Sequence, residues 1–281
     1  MQIFLKILEK ICDNRSLFSF LIKRIVRNLF FLKTKTIVSL NATARPHYAY
    51  CVYNAAILAK KLDYKSFSII EFGVAGGNGI YFLEKFCEKV RLELNIEIEI
   101  YGFDLKDGLS NPKDYRDLPY WFQSGFYSMN EPELKKKLKK TKLILGDVKE
   151  TIKKFFSNYN PAPIGVILND LDYYSSTNDS FDIFNDLDIK YLPRVFCYFD
   201  DIIGTENEMY NVYTGELLAI EEFNKKNEFK KIVLNQNLVA KSNEIWRYQI
   251  YYYHNFLHPK YNTFVGKNEQ INLNKELILK N

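Results

Sequence analysis

The sequence has few residues of the kinds that form disulfides or bind zinc. It contains four cysteines and three histidines in 281 residues. The cysteines, Cys12, Cys51, Cys87 and Cys197, are widely scattered, and none belongs to a C-x-x-C pair or lies near a histidine at zinc spacing. This pattern argues against a zinc site and a disulfide framework, and it predicts reduced, mostly buried thiols in a cytoplasmic protein.

Long hydrophobic runs are also missing. No uninterrupted apolar stretch approaches the ~18 residues that a membrane-spanning helix needs. Lys33 and Lys35 interrupt the apolar segment before Ala42-Thr43-Ala44, so a cleaved signal peptide is not expected. We find no internal repeats, and 281 residues are enough to bury a full core.

The net positive charge of the chain comes from its N-terminal segment. The net charge is +5. Residues 1–40 hold eight lysines and arginines against two acidic residues, so they carry +6 and the rest of the chain carries −1. A nearly neutral main body argues against nucleic acid as a partner.

Apolar pairs recur every four residues in this basic segment. The pairs are Leu17/Phe18, Leu21/Ile22, Ile25/Val26 and Leu29/Phe30, after an earlier set of Ile3/Phe4, Ile7/Leu8 and Ile11. Such spacing predicts an amphipathic helical arm. Two interpretations stay open: residues 1–35 make a peripheral contact with the inner face of the membrane, or the arm caps the main domain or forms a homo-oligomer contact.

A glycine-rich turn follows an apolar run at 67–70. Its sequence is Glu71-Phe72-Gly73-Val74-Ala75-Gly76-Gly77-Asn78-Gly79. Glycine lets the backbone turn tightly and approach a ligand closely, and a following helix points free N–H groups over the turn. The pattern predicts a nucleotide-like cofactor, although such a turn could also serve only to pack a helix on a sheet.

The spacing of these glycines distinguishes between cofactors. A dinucleotide site needs G-x-G-x-x-G. Counting from Gly73 puts Asn78 at the last position, and counting from Gly77 puts Phe82 there, so both registers fail. The observed E-x-G-x-x-G-G-x-G resembles the first motif of class I S-adenosylmethionine (SAM) methyltransferases. The resemblance implies that SAM is bound by Glu71, Gly73, Gly76, Gly77 and Gly79.

Strands and helices alternate after residue 45. Strands are predicted at 67–72, 96–103, 142–146, 164–169 and 195–199, with helices at 47–61, 78–90, 148–156, 177–187 and 215–227. Alternation predicts an α/β fold with a doubly wound parallel sheet. Two later strands, at 230–239 and 245–256, have no predicted helix between them and should pair antiparallel. Five parallel strands with a terminal antiparallel hairpin match the Rossmann-like sheet of class I methyltransferases.

Three parts of the chain are expected: a helical arm at 1–44, a main domain at 45–265 and a tail at 266–281. Within the main domain, the segment 105–140 is longer than a crossover needs and mixes aromatic with polar residues. Such an insertion suggests a lid or a substrate wall. The alternative is an extra helix that packs on the edge of the sheet.

Acidic residues follow the predicted strands. They are Glu71, Asp104, Asp147, Asp170, Asp172, Asp200 and Asp201. One acid at a strand end is often a helix N-cap, but a whole row at the ligand-binding edge of a sheet is harder to explain that way. Neighbouring carboxylates repel each other, and a cation or a polyhydroxylated ligand would relieve the conflict.

Each of these acids can be given a role. Asp104 is placed to accept hydrogen bonds from ribose hydroxyls, and Asp147 to contact an adenine amino group. Asp170, Asp200 and Asp201 converge from neighbouring strands and offer the hard oxygen ligands that Mg²⁺ prefers.

A family resemblance rests on two of these segments. Asp170-Leu171-Asp172-Tyr173-Tyr174-Ser175-Ser176-Thr177 resembles the D-x-D-x-Y-x-S-T motif of the macrocin and mycinamicin type of sugar O-methyltransferases, and Phe199-Asp200-Asp201 resembles their following D-D. The resemblance covers residues 45–262. It implies SAM-dependent methylation of a sugar or glycoconjugate hydroxyl, with Mg²⁺ on Asp170, Asp200 and Asp201. It also implies that Asp172, beside Asp170, is the base; some members use a histidine where this chain has Tyr173.

Two other functions remain as alternatives. One is a nucleotide- or NAD-dependent enzyme on the same kind of sheet, which the failed G-x-G-x-x-G and the terminal hairpin argue against. The other is a non-catalytic, membrane-associated protein with this fold. The acids retained at the strand ends argue against it, because a dead site has no reason to keep charges that are costly to bury.

Overall fold

A seven-stranded sheet forms the centre of the computed structural model, which describes residues 17–27, 32–241 and 244–277. The strands are β1 (Ser66–Phe72), β2 (Glu97–Asp104), β3 (Lys142–Leu145), β4 (Ile164–Asn169), β5 (Tyr191–Phe199), β6 (Lys230–Leu234) and β7 (Ile250–Asn255). Their spatial order is β3-β2-β1-β4-β5-β7-β6. Strands β1 to β5 are parallel, and β7 lies antiparallel between β5 and β6. The predicted doubly wound sheet is confirmed.

Helices cover both faces of this sheet. They are α1 (Leu17–Arg27), α2 (Thr34–Ser39), α3 (Pro46–Lys61), α4 (Asn78–Leu94), α5 (Glu131–Lys137), α6 (Val148–Thr151), α7 (Phe155–Tyr159), α8 (Tyr174–Ser180), α9 (Gly215–Lys226), α10 (Gln236–Val239) and α11 (Lys267–Leu277). One buried layer lies between the sheet and α3 with α4, and a second includes side chains of α8 and α9. Both faces of the parallel strands are therefore covered, and β1, β4 and β5 are buried along almost their whole length.

The parallel strands end almost level with one another. In the register, Phe72 of β1 is paired with Phe103 of β2 and with Asn169 of β4, and Asn169 is paired with Phe199 of β5. The residues that follow these strands therefore meet at one edge of the sheet. Because β2 and β4 flank β1 on opposite sides, the chain after β1 lies at the switch point where doubly wound sheets bind ligands.

The connection between the last two strands differs from the prediction. Strand β6 ends at Leu234, and α10 and a 3₁₀ turn at Ile245–Gln249 separate it from β7. The side chain of Asn235 accepts a hydrogen bond from the Leu238 N–H and so starts a helix where the sequence pattern predicts strand. The expectation of no helix between these strands is wrong, whereas their antiparallel pairing is confirmed.

The described part of the arm packs with one side only. Ile22 and Val26 of α1 contact a small cluster that includes Ile37 and Leu40. Phe20, Leu21 and Ile25 are exposed. The Ile3 to Ile11 set and the Leu29/Phe30 pair lie outside the described residues. Within the described ranges, no helix is long and apolar enough to cross a membrane.

Candidate functional site

The turn after β1 contains glycines with different roles. Gly73 has φ +82°, and a Cβ there would lie 1.7 Å from the carbonyl oxygen of Asp170, so no larger residue fits. The space around Gly76, by contrast, is not crowded. Apart from its chain neighbours, no heavy atom of the described residues lies within 4 Å of a Cβ built there. Packing does not require glycine at this exposed position, and the space above it is open to a ligand.

Glu71 lies behind this turn rather than in front of it. Its side chain is buried, and its carboxylate accepts a 2.8 Å hydrogen bond from the Tyr48 hydroxyl. A Cβ at Gly79 would lie 2.0 Å from the same carboxylate oxygen, so this glycine lets the start of α4 close over the acid. Burial raises the pKa of Glu71 to about 8. Glu71 therefore supports the turn from beneath, and Gly77 is the N-cap of α4 above it.

A cavity at this edge of the sheet is lined by Gly73 of the turn and by Asp104 and Asp147. Each of the two aspartates also accepts hydrogen bonds from backbone N–H groups of a neighbouring loop or helix start. One oxygen of Asp104 accepts hydrogen bonds from the Val74 and Ala75 N–H groups, each 2.8 Å long, which ties the glycine turn to the end of β2. Asp147 caps α6 by accepting a 2.9 Å bond from the Lys149 N–H. The N-cap role that a single acid often has is thus real for Asp147, and its carboxylate is also at the cavity wall.

Three carboxylates meet beyond β4 and β5. Ligand oxygens of Asp170, Asp200 and Asp201 all lie within 4.8 Å of one another. The two oxygens of Asp201 accept hydrogen bonds from the Tyr210 hydroxyl at 2.9 Å and from the Asp172 N–H at 3.0 Å. The Tyr198 hydroxyl donates to Asp200. These contacts fix the orientation of two of the three carboxylates.

The cluster carries negative charge that no nearby cation offsets. In residues 17–27, 32–241 and 244–277, no lysine or arginine forms an ion pair with Asp170, Asp172, Asp200 or Asp201. Burial first, and then repulsion from neighbouring carboxylates, raises the pKa of Asp170 and Asp172 well above the ordinary value and that of Asp201 to about 7. Hard, oriented and uncompensated oxygen donors suit a divalent cation.

A fourth carboxylate supports the cluster. Glu216, in the first turn of α9, is fully buried and accepts a 2.9 Å hydrogen bond from the Asp201 N–H. Burial and the charge of Asp201 raise its pKa well above the ordinary value. Sequence reasoning missed Glu216, and it also missed Tyr198 and Tyr210. No motif marks the three. Tyr198 lies within β5, and the positions of Tyr210 and Glu216 depend on how the chain after β5 folds back.

Asp172 and Tyr173 have separate roles. Asp172 lines the cavity and has φ +61°, a conformation uncommon outside glycine that is typical of functional sites. Tyr173 is buried, and its hydroxyl donates a 3.1 Å hydrogen bond to the Ser110 carbonyl. The Tyr173 side chain therefore holds the insertion in place. Of these two residues, only Asp172 offers a carboxylate to the cavity.

The insertion at 105–140 divides into two parts. Its first part forms one wall of the cavity, whose volume is about 550 Å³, through Leu105, Gly108, Leu109, Ser110, Asn111, Lys113, Trp121, Phe122 and Tyr127. Asp117 fixes this wall to α8 by accepting bonds of 2.8 and 2.9 Å from the N–H and hydroxyl of Ser175. The second part, α5, buries Leu134 in the core cluster that α3 and α4 share, beside Gly77 at the start of α4. The insertion therefore lines the cavity with its first part and adds a helix to the core with its second.

The structure brings six predicted acids to one cavity wall: Asp104, Asp147, Asp170, Asp172, Asp200 and Asp201. Gly73 and Ala75 of the turn line the same cavity. Glu71 and Gly79 lie behind that wall. The site predicted from the sequence is therefore assembled at one sheet edge, with the turn on one side and the three-aspartate cluster on the other.

Comparison with solved structures identifies the fold of the chain. No protein-family model matches the chain, and no curated protein matches it by sequence. The calicheamicin methyltransferase CalS11 is 18% identical and matches 86% of this chain and 94% of its own length, with a TM-score of 0.52. The O-methyltransferase NovP is 12% identical and matches 90% of this chain and 98% of its own, with a TM-score of 0.50. The chain has the Rossmann-like fold of SAM-dependent methyltransferases.

Proposed function

We propose that this protein is a SAM- and Mg²⁺-dependent O-methyltransferase that acts on a hydroxyl of a sugar or glycoconjugate. One observation carries the proposal: the glycine turn after β1 and the three-aspartate cluster after β4 and β5 line a single cavity at the switch point of the sheet. A methyl donor on the turn and an acceptor at the cluster would then be neighbours, as group transfer requires.

The turn fits SAM. Gly73 brings the backbone close to the cavity, and Gly76 leaves open space above it. Asp104 at the end of β2 is placed to accept hydrogen bonds from ribose hydroxyls, and Asp147 from an adenine amino group. When bound, SAM would supply a methyl group on a positively charged sulfur, next to a cavity wall rich in carboxylates.

The cluster fits Mg²⁺. Asp170, Asp200 and Asp201 would hold the ion, and Tyr198 and Tyr210 already orient two of them. Hydrogen bonds from neighbouring residues to metal-binding side chains keep those side chains in place. When bound, Mg²⁺ would supply a Lewis acid that lowers the pKa of an acceptor hydroxyl.

Asp172 is the base in this mechanism. Burial raises the pKa of its carboxyl, and a base with a raised pKa accepts a proton more readily at neutral pH. Its own N–H is bonded to Asp201, which holds it beside the cluster. Asp172 would accept the proton of the acceptor hydroxyl, while SAM, when bound, would supply the methyl group that takes the proton's place. Residues of the insertion form one wall of this site.

The sugar acceptor rests on two lines of support. The D-x-D-x-Y-x-S-T pattern at 170–177 resembles that of sugar O-methyltransferases. A diol on a sugar ring also suits a site with several carboxylates, because its hydroxyls can donate to them.

Asp200→Asn tests the proposal. We expect transfer of a labelled methyl group from SAM to a panel of sugars to be lost, because a metal ligand is removed, while calorimetry shows SAM affinity within about twofold of wild type. Asp179→Asn is the matched control, since Asp179 lines the same cavity but pairs with Lys113 at 3.5 Å. Full activity of Asp200→Asn, or of wild type in EDTA, would contradict the metal role.

A further inference from the structure

Four aromatic side chains lie exposed together on the insertion. Tyr120, Trp121, Phe126 and Tyr127 are between 41 and 59% exposed. We call this group the aromatic platform. Contiguous exposed apolar groups on soluble proteins mark binding grooves more often than chance would give. Tyrosine and tryptophan suit ligands that are partly apolar and partly polar.

The platform is held by an ordered backbone. The Leu109 N–H donates to the Phe126 carbonyl at 2.9 Å, and the Gly125 N–H donates to the Leu109 carbonyl at 2.8 Å. The Met129 N–H donates to the Lys106 carbonyl at 2.8 Å, which joins the same two segments again. The backbone that carries Phe126 and Tyr127 is therefore ordered, so a ligand would bind without the entropy cost of ordering this loop.

The platform continues the cavity outward from the acids. Trp121 and Tyr127 line the cavity, while Phe126 lies beside Tyr127 with ring centres 6.3 Å apart. The Tyr120 hydroxyl donates a 2.7 Å bond to the carbonyl of Glu208, a residue that also lines the cavity. The platform therefore adjoins the cavity through Trp121 and Tyr127.

The acidic lining of the cavity favours uncharged sugar ligands over anionic ones. Eight acidic residues line it: Asp104, Asp147, Asp170, Asp172, Asp179, Asp200, Asp201 and Glu208. Among its described lining residues the one lysine or arginine is Lys113, which pairs with Asp179 at 3.5 Å. A diphosphate at the mouth would be repelled by this field, whereas a neutral ligand would not. The C–H face of a sugar ring can also stack on an aromatic ring.

We propose that the acceptor is an uncharged oligosaccharide, whose terminal sugar reaches the aspartate cluster while the following sugars lie on the aromatic platform. The inference rests on the proposed function and names the substrate class of that site. It differs from a nucleotide-sugar acceptor, because the platform would be left uncovered and the diphosphate unpaired. It also differs from a single free sugar, which would reach the acids without touching Tyr120 or Phe126.

A glycan array tests this. The full-length protein, with S-adenosylhomocysteine and Mg²⁺, is applied to neutral oligosaccharides of one to six sugars, nucleotide-diphosphate sugars, anionic glycans and aryl monoglycosides. We expect binding to neutral chains of three or more sugars. Phe126→Ala should weaken it by about tenfold, because the ring surface that a sugar would cover is lost. Phe229→Ala is the control, since Phe229 is an exposed phenylalanine just before β6, at the opposite edge of the sheet.

The outcomes separate this inference from the proposed function. Strongest binding to nucleotide sugars or aryl monoglycosides, no gain with chain length, no binding of any neutral chain, or equal binding by Phe126→Ala and wild type would each overturn it. SAM titration of the same samples reports on the cofactor site alone. Retained SAM affinity in Phe126→Ala, with lost glycan binding, supports the platform as an acceptor surface distinct from the cofactor site.

Discussion

The negative charge of Asp201 should destabilise the folded chain when no cation is present. Burial, and then the neighbouring Asp200, raises the pKa of Asp201 from an ordinary 3.8 to about 7. Because the folded pKa lies above the unfolded one, the folded chain binds more protons between these values. This contribution to stability is therefore complete below about pH 4 and is lost as the pH rises through about 7.

The size of the effect follows from the same shift. Each pKa unit corresponds to about 1.4 kcal/mol, so the ionised Asp201 costs the fold up to about 4 kcal/mol at pH 8. Asp201→Asn removes this charge but weakens one of the two hydrogen bonds that its carboxylate accepts, which costs about 1–2 kcal/mol. We expect a net gain of about 2 kcal/mol, or roughly 4 °C in melting temperature for a chain of this size.

Thermal unfolding in EDTA at about pH 8 and about pH 5 measures this difference in stability between Asp201→Asn and wild type. Asp201→Asn should melt higher than wild type at the higher pH, and its advantage should shrink at the lower pH, where Asp201 is protonated. Mg²⁺ should raise the melting temperature of wild type at pH 8 but not that of the variant. Asp179→Asn, from the same cavity, should keep the Mg²⁺ response. A variant that is less stable at both pH values, or that responds to Mg²⁺ like wild type, would refute the reasoning.

Three further outcomes are expected. Asp172→Asn should lower kcat at least about a hundredfold, because it removes the base, with SAM affinity by calorimetry unchanged. Gly76→Ala should weaken SAM binding without changing the melting temperature, whereas Gly73→Ala should lower that temperature strongly, since its Cβ would lie 1.7 Å from a carbonyl oxygen. If the arm contacts the membrane, the double variant Phe20→Ser and Ile25→Ser should float less with anionic vesicles than wild type does and melt at the same temperature, because both side chains are exposed. Equal flotation would contradict that contact.

The sheet and the row of acids could be predicted because both depend on local patterns. Apolar runs alternate with helical periods, and parallel strands must end at the same edge. The acids that follow β2 to β5 therefore meet wherever their strands do, without any knowledge of side-chain contacts. Asp104 and Asp170 are examples, since each directly follows a strand pairing that the register confirms.

Contacts between distant segments could not be predicted in the same way. Glu71 belongs to the glycine motif, yet it faces Tyr48 behind the turn, because side chains of a strand alternate between the two faces of the sheet. Tyr173 bonds to the insertion, and Asp117 of the insertion bonds to Ser175. Nothing in the spacing of these residues shows that segments about 60 positions apart will touch.

The central claim is tested most directly by calorimetric titration of the purified protein with SAM, with and without Mg²⁺. We expect micromolar binding of SAM, since Gly73 and Asp104 line the cavity in which we propose that it binds, and a change in affinity or enthalpy when Mg²⁺ occupies the neighbouring cluster. Absence of SAM binding under both conditions, together with binding of NAD, would contradict the methyltransferase function.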